Sequence, residues 1–237
     1  IQKLTFSTET SSALPESLSS VRYNMQSFGN QTQGYLAGGN HYGPSNTEYH
    51  SYVDKFVYAT STISAISNLA GGDQAQGAGV SPRSDNLSAI EPLPETPTAS
   101  TSSVPNPAVS VSGYWSGGTL DSAPSPDRAR TTTEKVTFAT DTTARVPGAN
   151  TSPSRHNAAG SSSTTKGYAH GGYQSWEGSP TANINSLTYS NNTWANIPSA
   201  LLNPTGGNYA VNSITNSYSG GGGYNSDYSN IDKLTFA

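Results

Sequence analysis

An internal repeat of about 48 residues restricts the possible folds of this chain more than any other feature of its sequence. One motif is a short alternating segment, mostly apolar at its first, fourth and sixth positions, which occurs at 1–6, 53–58, 133–138, 184–189 and 231–236. A second motif ends in two glycines and occurs at 34–39, 113–118, 167–172 and 217–222. Repeats of this length build solenoids, propellers or arrays from one supersecondary unit. The chain is therefore predicted to be a single repeat domain with about four copies of one unit.

The spacing of the two motifs shows that one unit is enlarged. The interval from the third position of the alternating motif to the next second glycine is 36, 63, 37 and 36 residues in the four units. A third landmark, Arg-Tyr-Asn at 22–24 and Arg-His-Asn at 155–157, precedes the glycine pair at a constant distance. Arg-Ser-Asp at 83–85 is the predicted counterpart in the second unit. This alignment divides the surplus residues into two insertions, around 70–80 and 88–109.

The second of these insertions, residues 88–109, is rich in proline, serine and threonine. Proline has no backbone N–H to donate to a sheet, so this segment is predicted to be an extended surface loop, in part polyproline-like. An insertion into one repeat often forms a binding or contact face. The alternative is a tolerated loop that has no role of its own.

Turn and strand signals predict about four strands in each unit and an all-β fold. Glycine or proline interrupts every candidate helix, and no stretch combines helical periodicity with capping residues. The low charged fraction of 11% and the 14 tyrosines fit short strands joined by turns. A four-stranded unit of about 45 to 50 residues has the size of a propeller blade. The predicted units are approximately 21–69, 82–146, 154–201 and 206–237, with 1–20 in addition.

The paired glycines have a structural interpretation in such a fold. Strands converge near the axis of a propeller, where a residue without Cβ allows close approach of the backbone and positive φ. We assign this role to four pairs, which are Gly38 and Gly39, Gly117 and Gly118, Gly171 and Gly172, and Gly221 and Gly222.

The third unit resembles kelch repeats. Its segment Tyr168–Gly172 and the later segment Leu187–Pro198 follow the kelch order of an apolar residue with two glycines, then a tyrosine, then Asn-Thr-Trp and proline. The other units keep the glycine pair and the aromatic strand but lack the tryptophan. The resemblance implies a kelch-like β-propeller of about four blades. Kelch-like propellers more often have five to seven blades, so a longer repeat array is an alternative.

The two ends of the chain carry the same strand motif. Residues 1–6 and 231–236 are near-duplicates, and in a ring of four blades both cannot occupy one position. Either the chain is a segment of a longer array, or one terminal strand pairs outside its own ring. Exposed strand edges favour such pairing with another subunit.

Three arginines, Arg22, Arg83 and Arg155, recur at the predicted equivalent position. Propeller sialidases use an arginine cluster, but the Ser-x-Asp-x-Gly-x-Thr-Trp turn of that family does not occur in this sequence. The recurrence favours a structural role, in which each arginine binds carbonyls or an acid of its own or a neighbouring blade. Turnover of sialosides that is lost in Arg155→Ala would instead indicate a glycan-active enzyme.

The composition argues against several other functions. The absence of cysteine excludes disulfides, thiolate metal sites and the Tyr-Cys crosslink of the kelch-like copper radical oxidases. The net charge of −4 and the scattered basic residues argue against nucleic-acid binding. No run of 18 apolar residues occurs, so membrane insertion is not predicted. We predict no metal site, because the four histidines follow no ligand pattern. We also predict no enzyme activity and no cofactor, since the sequence contains no recognisable catalytic constellation.

Carbohydrate binding is a further hypothesis, because sugars stack on exposed aromatic rings and form hydrogen bonds with polar side chains. The loops that follow the glycine pairs supply such groups, and a glycan or a protein partner is the predicted ligand. The candidate residues are His41, Tyr42, Tyr173, Trp176, Tyr224 and Tyr228. The alternative is that these rings pack between blades.

The combination of Gly167–Gly172 with the segments 133–142 and 231–237 resembles repeats in virion proteins of tailed phages, especially those that infect cyanobacteria. The resemblance implies an extracellular structural part of a virion: a tail fibre, a tail appendage or a capsid decoration. Its partners would be other virion proteins or copies of itself, together with host-surface glycans. The alternatives are a cell-surface or secreted lectin and, less favoured, a glycan-active enzyme.

Overall fold

The computed structural model describes residues 1–5, 7–43, 47–82, 111–120, 129–175, 178–223 and 227–236. Every regular element in these ranges is a β-strand, and none of them contains a helix. Strands form because short runs of threonine, tyrosine and branched residues alternate with glycine, proline and asparagine turns.

Four antiparallel sheets follow one another along the chain, each with its strands in sequence order. Blade 1 contains β3 (Gln26–Gly29), β4 (Gln33–Ala37), β7 (Val53–Val57) and β8 (Thr62–Ala65). Blade 2 contains β10 (Ala78–Val80), β11 (Ser112–Ser116), β13 (Thr132–Thr137) and β14 (Thr142–Asn150). Blade 3 contains β15 (Ala159–Ser162), β16 (Lys166–His170), β17 (Asn183–Thr188) and β18 (Thr193–Ala200). Blade 4 contains β19 (Tyr209–Asn212), β20 (Asn216–Gly220) and β21 (Ile231–Thr235).

Three short two-stranded sheets complete the described strands. They are β1 (Gln2–Thr5) with β2 (Thr10–Ala13), β5 (Asn40–Tyr42) with β6 (Thr47–Tyr49), and β9 (Gln74–Ala75) with β12 (Thr119–Leu120). The first pair holds one copy of the duplicated terminal motif, and β21 in blade 4 holds the other. The two copies therefore lie in separate sheets and do not compete for one position.

The first strands of the four blades form the inner part of the molecule. β3, β10, β15 and β19 pack against one another in this order, whereas β19 and β3 have at most marginal contact. Both of these end strands line a central cavity of about 310 Å³. The sheets thus have the arrangement of a four-bladed β-propeller, which confirms the predicted all-β propeller fold. The fourth blade does not pack against the first.

Aromatic residues form the core between consecutive blades. The ring of Tyr35 in blade 1 stacks on Phe138 in blade 2 at 4.8 Å between centroids. Trp115 of blade 2 is fully buried against blade 1, in a cluster that includes Ala37 and Val53. Burial of large rings is the main source of stability available to a chain with so few aliphatic residues.

The structure corrects the predicted alignment of the second unit. Ala75 pairs with Thr119 as His156 pairs with Tyr173, and Gln76 has positive φ as Asn157 does. Gln74, which precedes Ala75, therefore holds the position of Arg155, and Arg83 does not. Arg83 itself lies outside the described residues.

This correction also relocates the surplus residues of the second unit. β9 and β10 follow blade 1 with the spacing found in the other units, so the surplus lies entirely between β10 and β11 rather than in two places. The error arose because the count relied on the arginine, and glutamine replaces it in this unit. The predicted loop 88–109 is within the part of the chain that the structure does not describe.

The glycine pairs adopt the conformation that only glycine reaches easily. All eight of these residues have positive φ, between 60° and 106°. At Gly117 an added Cβ would lie 2.5 Å from the carbonyl oxygen of Arg155 in the next blade. The second strands of blades 1, 2 and 3 therefore end where the backbone of the following unit approaches closely, near Gln74, Arg155 and Thr205.

Candidate functional site

The loops after the glycine pairs lie at one end of the propeller, because the second strands of all four blades occupy equivalent positions and run in the same direction. In blade 1 this loop forms the β5–β6 hairpin, whose strands pair in register from Asn40 opposite Tyr49 to Tyr42 opposite Thr47. The hairpin raises side chains above the blade and makes them available to a partner.

A cluster of three tyrosines and two histidines covers this hairpin and its base; we call it the tyrosine–histidine patch. Tyr42 is 78% exposed, and its ring lies 5.4 Å from that of Tyr23 at 40°. Nδ1 of His41 is 2.9 Å from Nε2 of His50, and the two rings are stacked. His50 also stacks on the exposed ring of Tyr52 at 5.0 Å. The patch thus presents flat aromatic faces beside polar ring edges.

The surroundings of His50 favour its neutral form. Burial, followed by repulsion from His41 and then Arg22, lowers the pKa of His50 below its usual value. The neutral His50 ring either accepts a hydrogen bond at Nε2 from Nδ1 of His41 or donates one to it, according to the tautomer. Loss of solvent around its hydroxyl, with a hydrogen bond to Tyr42, raises the pKa of Tyr23 to about 12. The patch therefore carries tyrosine hydroxyls and a neutral His50 ring, and the Glu48 carboxylate lies 3.7 Å from Nε2 of His41.

The other predicted binding residues do not join this patch. Tyr173 stacks on His156 at 5.2 Å, and its hydroxyl donates to the carbonyl of Gly223 at 3.3 Å, so it packs between blades 3 and 4. Tyr228 is half-buried in the loop of blade 4, where its backbone N–H donates to Gly222. Trp176 and Tyr224 lie outside the described residues. Of the six candidates, the structure brings together His41 and Tyr42.

Sequence reasoning left Tyr23 and Tyr52 out of the candidate set. Tyr23 directly follows the repeated arginine, and it was counted as part of the structural landmark. Tyr52 lies just before the alternating strand of blade 1. The excess of tyrosine between 35 and 58 was a signal, but proximity across the hairpin depends on the fold.

The two described repeat arginines are buried inside their blades. Nη2 of Arg22 is 2.7 Å from Asp54 Oδ2, and its Nε donates to the carbonyl of Gly38 at 2.8 Å. Nη1 of Arg155 donates to the carbonyl of Gly171 at 2.9 Å, and its Nη2 donates to Oδ1 of Asn185. These bonds join the arginine, the glycine pair and the third strand of one blade. Burial lowers the pKa of Arg155 to about 10.

In blade 2 a neutral glutamine, Gln74, takes the place of the arginine as hydrogen-bond donor to the third strand. Nε2 of Gln74 donates to Oε1 of Glu134 at 2.8 Å, and the backbone N–H of Gly71 donates to the same oxygen. The acceptor residues Asp54, Glu134 and Asn185 occupy the second position of the alternating motif. An acidic or amide residue that recurs at the second position of the alternating motif was the signal that could have identified this contact.

Two buried histidines make stability depend on pH. Burial lowers the pKa of His156 and of His170 from 6.5 to about 4, and Nε2 of His170 lies 2.7 Å from Ser161 Oγ. Between pH 6.5 and 4 the unfolded chain therefore binds more protons than the folded chain. As the pH is lowered from 6.5 to 4, the free energy of unfolding should therefore decrease by up to about 1.4 kcal/mol per pH unit for each histidine. Below pH 4 it should level off.

Urea unfolding at a series of pH values measures this dependence. The variant His170→Gln should reduce the slope between pH 6.5 and 4, whereas His41→Gln in the half-exposed hairpin should change it less. An equal slope in the wild type and in His170→Gln would contradict the assignment of the effect to His170.

Within the described ranges, no group of three or more histidine, aspartate or glutamate side chains is placed to hold a metal ion. The same residues include no helix long and apolar enough to cross a membrane. No protein-family model matches the chain, and no curated protein matches it at a significant level. The class that the fold defines is therefore the four-bladed, all-β propeller, and function has to be argued from its surfaces.

Proposed function

We propose that this chain is a structural protein of a tailed-phage virion, a tail fibre, tail appendage or capsid decoration, that acts through contacts with neighbouring proteins. The kelch-like and phage-like repeat resemblance of the sequence supports the assignment. The weakly charged surface, rich in serine, threonine, asparagine and tyrosine, suits a durable extracellular part.

The observation that carries the proposal is that several charged and titratable side chains are buried in the fold and are not exposed at a surface site. Arg22, Arg155, Glu134 and His170 are buried and bonded within or between blades, so they stabilise the fold. Among the described residues, the exposed aromatic and apolar side chains include the tyrosine–histidine patch and the faces of blades 1 and 4 that pack on no other blade. This division of roles is expected of an assembly component.

Purified virions provide the test. The chain should be present in several copies per particle by quantitative mass spectrometry, and antibodies against it should label the tail or the capsid in electron micrographs. Its absence from particles purified on density gradients, despite expression during infection, would contradict the proposal.

A second candidate function, that of a propeller lectin, has its own support in the tyrosine–histidine patch. Tyr42, Tyr23 and Tyr52 offer exposed rings for stacking on a sugar, and His41 and His50 offer polar ring nitrogens. A host-surface glycan bound here would serve a virion protein as well as a free lectin. A glycan-active enzyme has less support, because Arg22 and Arg155 are committed to internal bonds.

Glycan-array binding followed by titration tests this site. Tyr42→Ala should weaken binding of a captured glycan about tenfold, since a stacked aromatic contact contributes about 1 to 1.5 kcal/mol. Leu202→Ala, which alters a similarly exposed apolar side chain outside the patch, is the control and should leave the affinity unchanged. Equal losses in both variants, or no glycan captured, would argue against the patch as a sugar site.

A further inference from the structure

Blades 1, 2 and 3 each pack on the following blade through the same aromatic contact. We call the side of a blade that faces the following blade its front, and the side that faces the preceding blade its back. A tyrosine in the middle of the second strand projects from the front and stacks on an aromatic residue at the end of the following blade's third strand. The pairs are Tyr35 with Phe138, Tyr114 with Tyr189, and Tyr168 with Phe236.

Between blades 1 and 2 and between blades 2 and 3, a second contact places an apolar side chain of the first strand over a glycine. Val80 on the front of blade 2 lies over Gly167 of blade 3, where an added Cβ would be 2.5 Å from Val80 Cγ2. Phe28 on the front of blade 1 lies over Gly113 of blade 2 in the same way. The side chain of the first strand thus fills the space that the missing Cβ leaves.

The front of blade 4 has the residues for both contacts but no blade to receive them. Tyr218 occupies the position of Tyr168, and Val211 occupies that of Val80, as the strand registers show. Val211 is 70% exposed, whereas Val80 and Phe28 are buried. Ile231, at the position of the buried Val53 and Ile184, is 74% exposed, and Tyr209 is exposed as well. This is an interface surface without its partner.

The back of blade 1 has the complementary features. Gly34 occupies the position of Gly113 and Gly167, and the hydroxyl of Tyr58 lies over it as that of Tyr189 lies over Gly167. Tyr58 is 47% exposed. Beside it lies an apolar cavity of about 440 Å³, and Ile1, Leu18, Leu36 and Phe56 contribute to its wall.

We propose that the front of blade 4 packs on the back of blade 1 of a second copy of this chain. Tyr218 would stack on Tyr58, and Val211 would lie over Gly34, so the contact continues the packing between consecutive blades within the chain. Within one chain the two surfaces do not meet, since β19 and β3 are not packed together. The surfaces differ from each other, so the association is head-to-tail and yields a ring or an open filament.

This self-association does not depend on the proposed function, because it is a property of the purified chain. A chain that associates but is missing from virions would retain this interface and lose the proposed function. A chain that is present in virions but stays monomeric in solution would retain the proposed function and lose this interface.

Complementation between two variants tests the interface by sedimentation velocity. Val211→Glu damages only the front of blade 4, at an exposed position, and Gly34→Glu damages only the back of blade 1. An added side chain at Gly34 first meets the tip of Tyr58, which can move, so the blade itself should still fold. The wild type should form species larger than a monomer as concentration rises, and each variant alone should be monomeric.

An equimolar mixture of the two variants should form dimers and nothing larger. The intact front of the Gly34→Glu chain then binds the intact back of the Val211→Glu chain, and both remaining surfaces are blocked. Leu202→Ala, which alters an exposed apolar residue outside both surfaces, is the control and should associate like the wild type. Tyr58→Ala provides a second variant of the receiving surface, with weakened association, in case Gly34→Glu lowers the melting temperature.

Three outcomes would overturn the proposal. The first is a wild type that remains monomeric at about 100 µM, where a micromolar interface would be nearly saturated. The second is association of Val211→Glu equal to that of the wild type. The third is a mixture of the two variants that stays monomeric, which would indicate that blade 4 closes on blade 1 of its own chain.

Discussion

Replacing Trp115 with alanine should destabilise the chain by about 3 to 5 kcal/mol, a large part of the roughly 5 to 15 kcal/mol that a domain has available. The indole is fully buried between blades 1 and 2, and its Nε1 donates to the carbonyl of Gly117 at 3.2 Å. Gly38 shapes the slot, since an added Cβ there would lie 2.7 Å from the indole Cη2. Alanine would leave a cavity that neighbouring backbone cannot fill.

Urea unfolding, followed by far-ultraviolet circular dichroism, measures this loss. Trp115→Phe should recover part of it, because the smaller ring still fills much of the slot. Tyr42→Ala removes an exposed aromatic residue and should change stability by less than about 0.5 kcal/mol. If Trp115→Ala were as stable as Tyr42→Ala, blades 1 and 2 would not pack through this ring.

Replacing Asp54 with leucine should destabilise the chain by about 3 to 5 kcal/mol as well, for a different reason. The side chains of Asp54 and Arg22 are both fully buried, and the Asp54 carboxylate also accepts hydrogen bonds from the N–H and hydroxyl of Ser19. Leucine would leave the guanidinium buried without a countercharge. Solvation of that charge is lost on folding, and nothing within the blade would replace it.

The chain supplies a natural comparison for this experiment. Blade 3 has Asn185 as the acceptor for Arg155, so Asp54→Asn converts the pair of blade 1 into that of blade 3. Asp54→Asn should therefore cost less than half as much as Asp54→Leu. In the double variant Arg22→Met with Asp54→Leu, removal of the stranded charge should restore part of the loss.

The urea unfolding midpoints of the wild type, Asp54→Asn, Asp54→Leu and the double variant test these expectations. Equal stability of Asp54→Asn and Asp54→Leu would show that the acceptor oxygen is unimportant. A double variant less stable than Asp54→Leu would show that Arg22 stabilises the blade mainly through its carbonyl contacts with Gly38 and Leu36.

The propeller was predictable because its signals are local and are repeated. Each unit carries an alternating strand and a glycine pair, and their spacing is nearly constant in three of the four units. Both motifs act locally, since they favour short strands and close backbone approach within a few residues of themselves. Where the local signal changed, the prediction was wrong. Gln74 replaces the arginine in blade 2, and a count anchored on Arg83 placed the surplus residues in two loops instead of one.

The tyrosine–histidine patch could be predicted only in part. His41 and Tyr42 lie in the loop that follows a glycine pair, so their end of the propeller was clear from the repeat. Tyr23 comes from the segment before the first strand and meets Tyr42 only because β5 folds back over it. Such a contact joins residues that are distant in sequence, and no local pattern records it.

The sequence by itself determined the repeating unit, the all-β class and the approximate number of blades, because strand alternation and glycine conformation are properties of short segments. Only the tertiary structure decided which faces are covered. Tyr168 and Tyr218 stand at the same place in the same motif, yet one is buried and the other is exposed. Tyr168 is buried because blade 4 follows blade 3, whereas no blade packs on Tyr218 within the chain. The exposed fraction of each tyrosine therefore depends on its neighbouring blade rather than on the residue type.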